Sequence, residues 1–222
     1  MRPGDRIGTE QDLAAEYGVS RPTVREALRL LSSAHLIRSS RGPGGGVFVA
    51  STPSEGMSRT LSASIAALLE THDLSLRELM DARIHLEVPL AGLAAERATT
   101  ETVLKLDAAI ADARGHPAGS ERFGLADACF HRTIALTAGN ALLRTFMSWT
   151  LDVLQPSLFE LLGDALDGEL ILDQHGEILR AIRRGQSAAA ERAMRRHLDY
   201  MSDRLRAFEE CPDVKGVAGP LA

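Results

Sequence analysis

The run Gly18-Val19-Ser20-Arg21-Pro22-Thr23-Val24-Arg25-Glu26-Ala27-Leu28-Arg29-Leu30-Leu31 holds both ends of a sharp connection between helices. Gly18 stops one helix, Val19 turns the chain, and Ser20 offers a side-chain oxygen to cap the next. Pro22 lies in the first turn, where its missing amide hydrogen costs nothing. Val24, Ala27, Leu28 and Leu31 then recur at helical spacing. Upstream, Thr9-Glu10-Gln11-Asp12 has the pattern of a capping box, followed by Leu13, Ala14, Ala15 and Tyr17. Two helices about four residues apart predict a helix-turn-helix.

Downstream, residues 36–40 and 46–50 read as short strands around Arg41-Gly42-Pro43-Gly44-Gly45. A hairpin after the second helix makes a small β-hairpin wing. Residues 52–56, Thr-Pro-Ser-Glu-Gly, read as a linker, and beyond them strand signals vanish. Helices are expected near 57–71, 75–99, 101–114, 120–138, 140–162, 166–184 and 187–208. The expected fold is therefore mainly α. A winged helix-turn-helix domain over 1–51 and the linker at 52–56 precede an all-α antiparallel bundle of six or seven helices over 57–210. Residues 211–222, rich in Gly and Pro, form a loose tail.

Charge supports a division of labour. The net charge is −5, yet residues 20–48 carry Arg21, Arg25, Arg29, Arg38 and Arg41 against the single acid Glu26, and the acidic excess falls on the rest of the chain. A basic head on an acidic body suits DNA contact at one end. Aromatics are 4% of the chain, too sparse for stacking single-stranded bases. Cys129 and Cys211 are the only cysteines, which excludes a disulfide scaffold and fits a reducing compartment. With no apolar leader and no membrane-length apolar run, the expected location is the cytoplasm.

The N-terminal end of a recognition helix faces base edges and phosphates in the major groove. Ser20, Arg21, Thr23 and Arg25 occupy that end. A guanidinium can donate two parallel hydrogen bonds to guanine or to a phosphate. Arg21 and Arg25 could equally form surface ion pairs, the usual fate of exposed arginines. For the glycine-rich tip the alternatives are a flexible linker, which the Val47 and Val49 alternation opposes, or a phosphate loop, which lacks its Lys-Ser/Thr pair.

Taken together, Pro3-Gly4-Asp5-Arg6-Ile7, Glu10, Leu13-Ala14, Gly18-Val19-Ser20-Arg21, Val24 to Leu31 and Gly44 to Val49 resemble the head of the GntR family of transcription regulators. The resemblance covers residues 3–50. It implies operator contacts from Arg21, Thr23 and Arg25 in the recognition helix, Gln11 in the preceding helix, and Arg41-Gly42 in the wing. Gln11 stands where family members often carry arginine. Family heads also begin with a further helix before the Pro-Gly-Asp segment; that first helix is missing here and is expected upstream of Met1.

In the body, Asp127 and His131 lie four apart on one helix face and could share a metal, or form an ordinary surface pair. His175 and His197 sit on later helices among apolar neighbours, where a lone histidine is more often a satisfied core residue. A second resemblance bears on this choice. Asp81-x-Arg83-x3-Glu87, Leu93-Ala94-Ala95, Asp127-x3-His131-x2-Ile134-x5-Asn140, His175-x2-Ile178 and His197 resemble the FCD ligand-binding domain of FadR-type GntR regulators. That resemblance, over about 57–208, implies a divalent metal held by Asp127, His131, His175 and His197. Three imidazoles and a carboxylate suit Zn, Ni, Mn or Fe. It also implies that Arg83 meets the carboxylate of an effector; the alternative is an i,i+4 pair with Glu87. His35, His72, His85 and His116 match no ligand position.

The expected function is a metal-containing regulator, a repressor, whose hold on double-stranded DNA responds to a small carboxylic acid at the metal. A homodimer would read a near-palindromic operator. The competing readings are a metal-dependent hydrolase-like enzyme using the same four ligands, and a regulator whose metal is purely structural. No H-E-x-x-H or G-x-S-x-G motif supports the enzyme, so none is expected.

Overall fold

Thr9 accepts from the Asp12 amide while the Asp12 carboxylate accepts from the Thr9 amide, closing the capping box that starts α1 (Glu10–Tyr17). Gly18, at φ +63°, ends it in a left-handed conformation that glycine adopts without strain. Ser20 then caps α2 (Arg21–Ser33) by accepting from the Thr23 amide. Caps of this kind contribute about 1 kcal/mol each, which matters in helices this short. The computed structural model describes residues 1–40, 42, 44–50 and 53–210. It divides into two units, Met1–Ser64 and Ile65–Ala222.

The head's sheet is antiparallel, with β3 (Gly46–Val49) between β1 (Arg6–Gly8) and β2 (Ile37–Ser40). In register, Ile37 faces Val49 and Arg38 faces Phe48. The hairpin is where the sequence puts it, but β1 is an additional strand. Three residues with one apolar side chain give no alternation to read, and β1 exists because β3 offers it a partner. The two strands approach closely: a Cβ on Gly46 would lie 2.9 Å from the Gly8 carbonyl oxygen. Leu13, Val24, Ile37 and Val47 make the head's small buried core, while Tyr17, Val19, Leu30 and Leu31 remain exposed. Of the apolar stripe expected on α2, Val24 is buried, Leu28 is half-buried, and Ala27 and Leu31 face outward. Arg41, at the expected wing tip, lies outside the described residues, as does the expected tail, 211–222.

The stretch expected to be a linker, 52–56, is helical from its second residue, because α3 runs Pro53–Glu70. Proline and small polar residues suit a helix's first turn as well as a linker, so composition alone misleads here. The division between the units falls within this helix.

In the second unit the helices are α4 (Leu76–Arg97), α5 (Thr100–Arg114), α6 (Glu121–Thr137), α7 (Ala141–Leu162), α8 (Gly168–Arg183) and α9 (Ser187–Glu210), with a 3-10 turn at Gly163–Ala165. Each lies within two residues of its expected bounds. Ser75, Thr99, Ser120, Asn140 and Asp167 cap the first five, so each start is written locally. Helix α4 packs against α6, α7, α8 and α9, and α5 closes against α6 and α8. Fully buried Met80, Leu106, Phe123, Phe130, Leu154, Leu158 and Ile178 fill the space between them. No described helix is long and apolar enough to cross a membrane.

Candidate functional site

On the head, Ser20, Arg21, Thr23 and Arg25 occupy the exposed N-terminal end of α2. Thr23 shares a 2.7 Å hydroxyl contact with the Ser20 cap. Arg25 donates to both carboxylate oxygens of Glu10 on α1, at 3.2 and 2.8 Å, so its fork is tied across the two helices. This pairing holds the Glu10 carboxyl below its ordinary range. Gln11 is exposed on α1, and Gly42 lies in the wing connection at φ +100°.

Inside the helical unit the structure brings all four expected donors together. Asp127, His131, His175 and His197 each offer one ligand atom, and those atoms lie within 4.8 Å of one another. Asp127 and His131 are one turn apart on α6, His175 comes from α8, and His197 from α9. Asp127 Oδ1 lies 3.4 Å from His175 Nε2, and Asp127 Oδ2 lies 3.7 Å from His131 Nε2. A tetrahedral zinc site with bonds near 2.1 Å separates its donors by about 3.4 Å. The four residues are at most 2% exposed.

Polar groups outside this cluster fix its ring orientations. Glu87 on α4 accepts from His131 Nδ1, so His131 Nε2 presents its lone pair inward. Gln174 on α8 lies 3.0 Å from His197 Nδ1 through its amide oxygen and sets that tautomer likewise. His175 stacks on Phe130, with ring centres 4.1 Å apart. Gln155 on α7 donates to Asp127 Oδ2. What is left over points one way: Asp127 Oδ1, His131 Nε2 and His175 Nε2 are buried without hydrogen-bond partners among the described residues. Buried polar atoms are rarely orphaned. Three of them facing one another are what a cation's ligands look like.

The electrostatics agree. Burial raises the Asp127 carboxyl above its ordinary range, against the pull of His131 and Arg83. Burial holds His175 and His197 well below the usual histidine value, with neighbouring positive charge adding to the effect. Both rings are therefore neutral, as ligands must be. Glu87 behaves oppositely: burial would raise it, but Arg83 and His131 hold it at about 2.

Arg83 on α4 is 1% exposed. Its Nε donates to Glu87 Oε1 at 2.5 Å and its Nη1 to Gln155 Oε1 at 3.2 Å, while Nη2 has no hydrogen-bond partner among the described residues. The i,i+4 pair with Glu87 thus exists and still leaves one donor unused. His35, His72 and His85 are exposed and His116 half-buried, apart from the cluster. Sequence reasoning reached Glu87 only as a partner of Arg83 and missed Gln155 and Gln174. For Gln155 the available signal was one amide among Leu151, Leu154 and Leu158 on an inward face.

A winged helix-turn-helix head followed by a helical unit built around a buried donor cluster defines a DNA-binding transcription regulator. Comparison with known proteins agrees. Residues 1–49 match the family described as bacterial regulatory proteins, gntR family, and residues 78–200 match the FCD domain. The HTH-type transcriptional regulator LutR of Bacillus subtilis is 29% identical over 95% of this chain and 95% of its own. The HTH-type transcriptional repressor NanR of Cronobacter sakazakii is 30% identical over 93% of this chain and 79% of its own. The solved structure of Streptococcus agalactiae GntR superposes with a TM-score of 0.73 at 27% identity, covering 92% of this chain and 90% of that one. This chain belongs to the GntR family of regulators and carries an FCD domain. Its relatives are regulators of transcription, not enzymes.

Proposed function

We propose that the chain is a metal-containing, effector-responsive transcription regulator, a repressor acting as a homodimer in the cytoplasm. A divalent Zn, Ni, Mn or Fe ion held by Asp127, His131, His175 and His197 and a small carboxylic acid captured beside it would set the affinity for a double-stranded operator. The observation that carries this reading is the set of buried polar atoms without hydrogen-bond partners among the described residues: three potential ligands and Arg83 Nη2. The cation would supply open coordination positions for an acid oxygen. Arg83 would supply the opposite charge and a directed hydrogen bond. Glu87 and Gln155 hold these groups in place from outside. The repressor sense is supported by the name of the Cronobacter relative. On the head, Arg21, Thr23 and Arg25 would meet the major groove, with Gln11, Arg41 and Gly42 at the edges of the contact.

An acid can change operator affinity only if it binds the DNA-competent and incompetent arrangements unequally. The test is an operator titration at rising concentrations of small hydroxy- and ketocarboxylic acids, with and without a chelator, beside elemental analysis of the purified protein. The expected result is about one metal per chain, absent in Asp127→Ala and His131→Ala, and an acid-dependent affinity that the chelator abolishes. Metal at the wild-type level in both variants would remove the site. Full metal with no acid response would leave a purely structural ion.

A further inference from the structure

The donors are sealed: neither Asp127 nor any of the three histidines is more than 2% exposed. A hydrated cation and a charged acid therefore need an opening. A groove of about 530 Å³ runs along α6 and α7, lined among others by Gly124, Leu125, Ala128, Arg132, Asp152 and Gln155. Its lining is mostly apolar, with the charged pair Arg132–Asp152 joining the two helices across it. Among the described residues, Gln155 is the one buried polar residue around the donors that also lines this groove.

Gln155 thus has two sides. Towards the groove it forms part of the wall; towards the interior its amide nitrogen donates to Asp127 and its oxygen accepts from Arg83. One side chain ties down the second oxygen of Asp127 and the second guanidinium nitrogen of Arg83, next to the Oδ1 and Nη2 atoms left without partners. The helix is also locally weakened there, because Pro156, the next residue, has no amide hydrogen for the preceding turn. On the other wall Gly124 brings the α6 backbone close to Phe159, whose ring would lie 3.4 Å from an added Cβ. Gly124 and Ala128 line the groove together with Gln155.

We propose that this groove is the route by which the cation and the small acid reach the buried donors, and that Gln155 is the gate. Turning its side chain releases both Asp127 and Arg83 and opens the way from the groove to the unpartnered Asp127 Oδ1 and Arg83 Nη2; turning it back seals the site. The inference rests on the metal reading above. Opening costs two hydrogen bonds to charged partners, so exchange through a closed gate is slow.

The distinguishing property of a route is kinetic. Obstructing it slows entry and exit by the same factor and leaves the equilibrium unchanged, whereas damage to a ligand shifts the equilibrium. The experiment is stopped-flow uptake of Zn²⁺ by the full chain, and its release to a chromophoric chelator, in wild type, Leu125→Trp and Gln155→Ala. Leu125 is 54% exposed on the groove and is not a ligand. In Leu125→Trp both rates should fall about tenfold at unchanged Kd, because indole fills the mouth. In Gln155→Ala uptake should rise by about tenfold or more, and release by at least as much because Asp127 also loses a hydrogen bond. Rates unchanged in Leu125→Trp, or a Gln155→Ala variant that releases faster without loading faster, would overturn the route and leave the metal site standing. A chelator-stripped wild-type protein that takes up none of Zn²⁺, Ni²⁺, Mn²⁺ and Fe²⁺ would overturn both.

Discussion

Glu87 and His131, 44 residues apart in the chain, meet in the interior with the carboxylate accepting from the ring's Nδ1. The other oxygen of Glu87 holds Arg83 at 2.5 Å. One carboxylate thus orients a candidate metal ligand and anchors the candidate acid-binding arginine. Replacing it by Gln keeps the shape and removes the charge. Glu87→Gln should weaken metal binding roughly 10- to 100-fold, the usual effect of losing a group that orients a ligand histidine. Competition titration against a chelator of known affinity measures it; an unchanged Kd would dismiss the orienting role.

Arg83 and Glu87 are both buried, so removing one charge strands the other. Arg83→Met should cost about 3–5 kcal/mol of stability. The double variant with Glu87→Gln should recover most of that loss in chemical denaturation. Neither variant should respond to acids in the operator titration, and a response in the stable double variant would show that Arg83 does not hold the effector.

The Arg25–Glu10 pair tests the head. Arg25→Ala should lower operator affinity roughly 10- to 100-fold, the range expected for one arginine reading a base, while metal content stays unchanged. Glu10→Gln releases the same guanidinium and should leave affinity equal or higher. If gel-shift affinity is untouched by Arg25→Ala, the arginine serves only its ion pair.

Two glycines meet where the α5–α6 connection passes the end of α7. A Cβ on Gly163 would lie 2.6 Å from the Gly119 Cα, which is backbone and cannot swing aside. Gly163→Ala should therefore destabilise the helical unit by about 1–3 kcal/mol, as overpacking does. Thermal unfolding reads this directly, and a melting temperature equal to wild type would mean the connection yields freely.

Much of this is legible in the sequence because its causes are local. Ser75, Thr99, Ser120, Asn140 and Asp167 mark five helix starts through their own side chains. Capping is a property of a few consecutive residues. Strand β1 escaped because a three-residue strand owes its existence to the neighbour it pairs with. The helical start at Pro53 is not legible within the expected linker, 52–56, because a helix's first turn and a linker use the same residues. At the site, the one-turn spacing of Asp127 and His131 is visible in the sequence. That His175 and His197 join them was expected only through a family resemblance, since nothing along the chain encodes the packing of α8 and α9 on α6. Gln155 could not be found that way: its importance lies in touching Asp127, 28 residues away, and Arg83, 72 away.

The donors are drawn from three separate helices, with the last two residues of the set 22 positions apart and the first two one turn apart. An unfolded chain cannot hold them near one another, so an ion bound here stabilises the native state alone. The melting temperature of such a regulator would climb with the free concentration of its ion. When the ion is scarce, the native state would forgo that contribution, so metal supply would be read in the fold's stability as well as in the operator affinity.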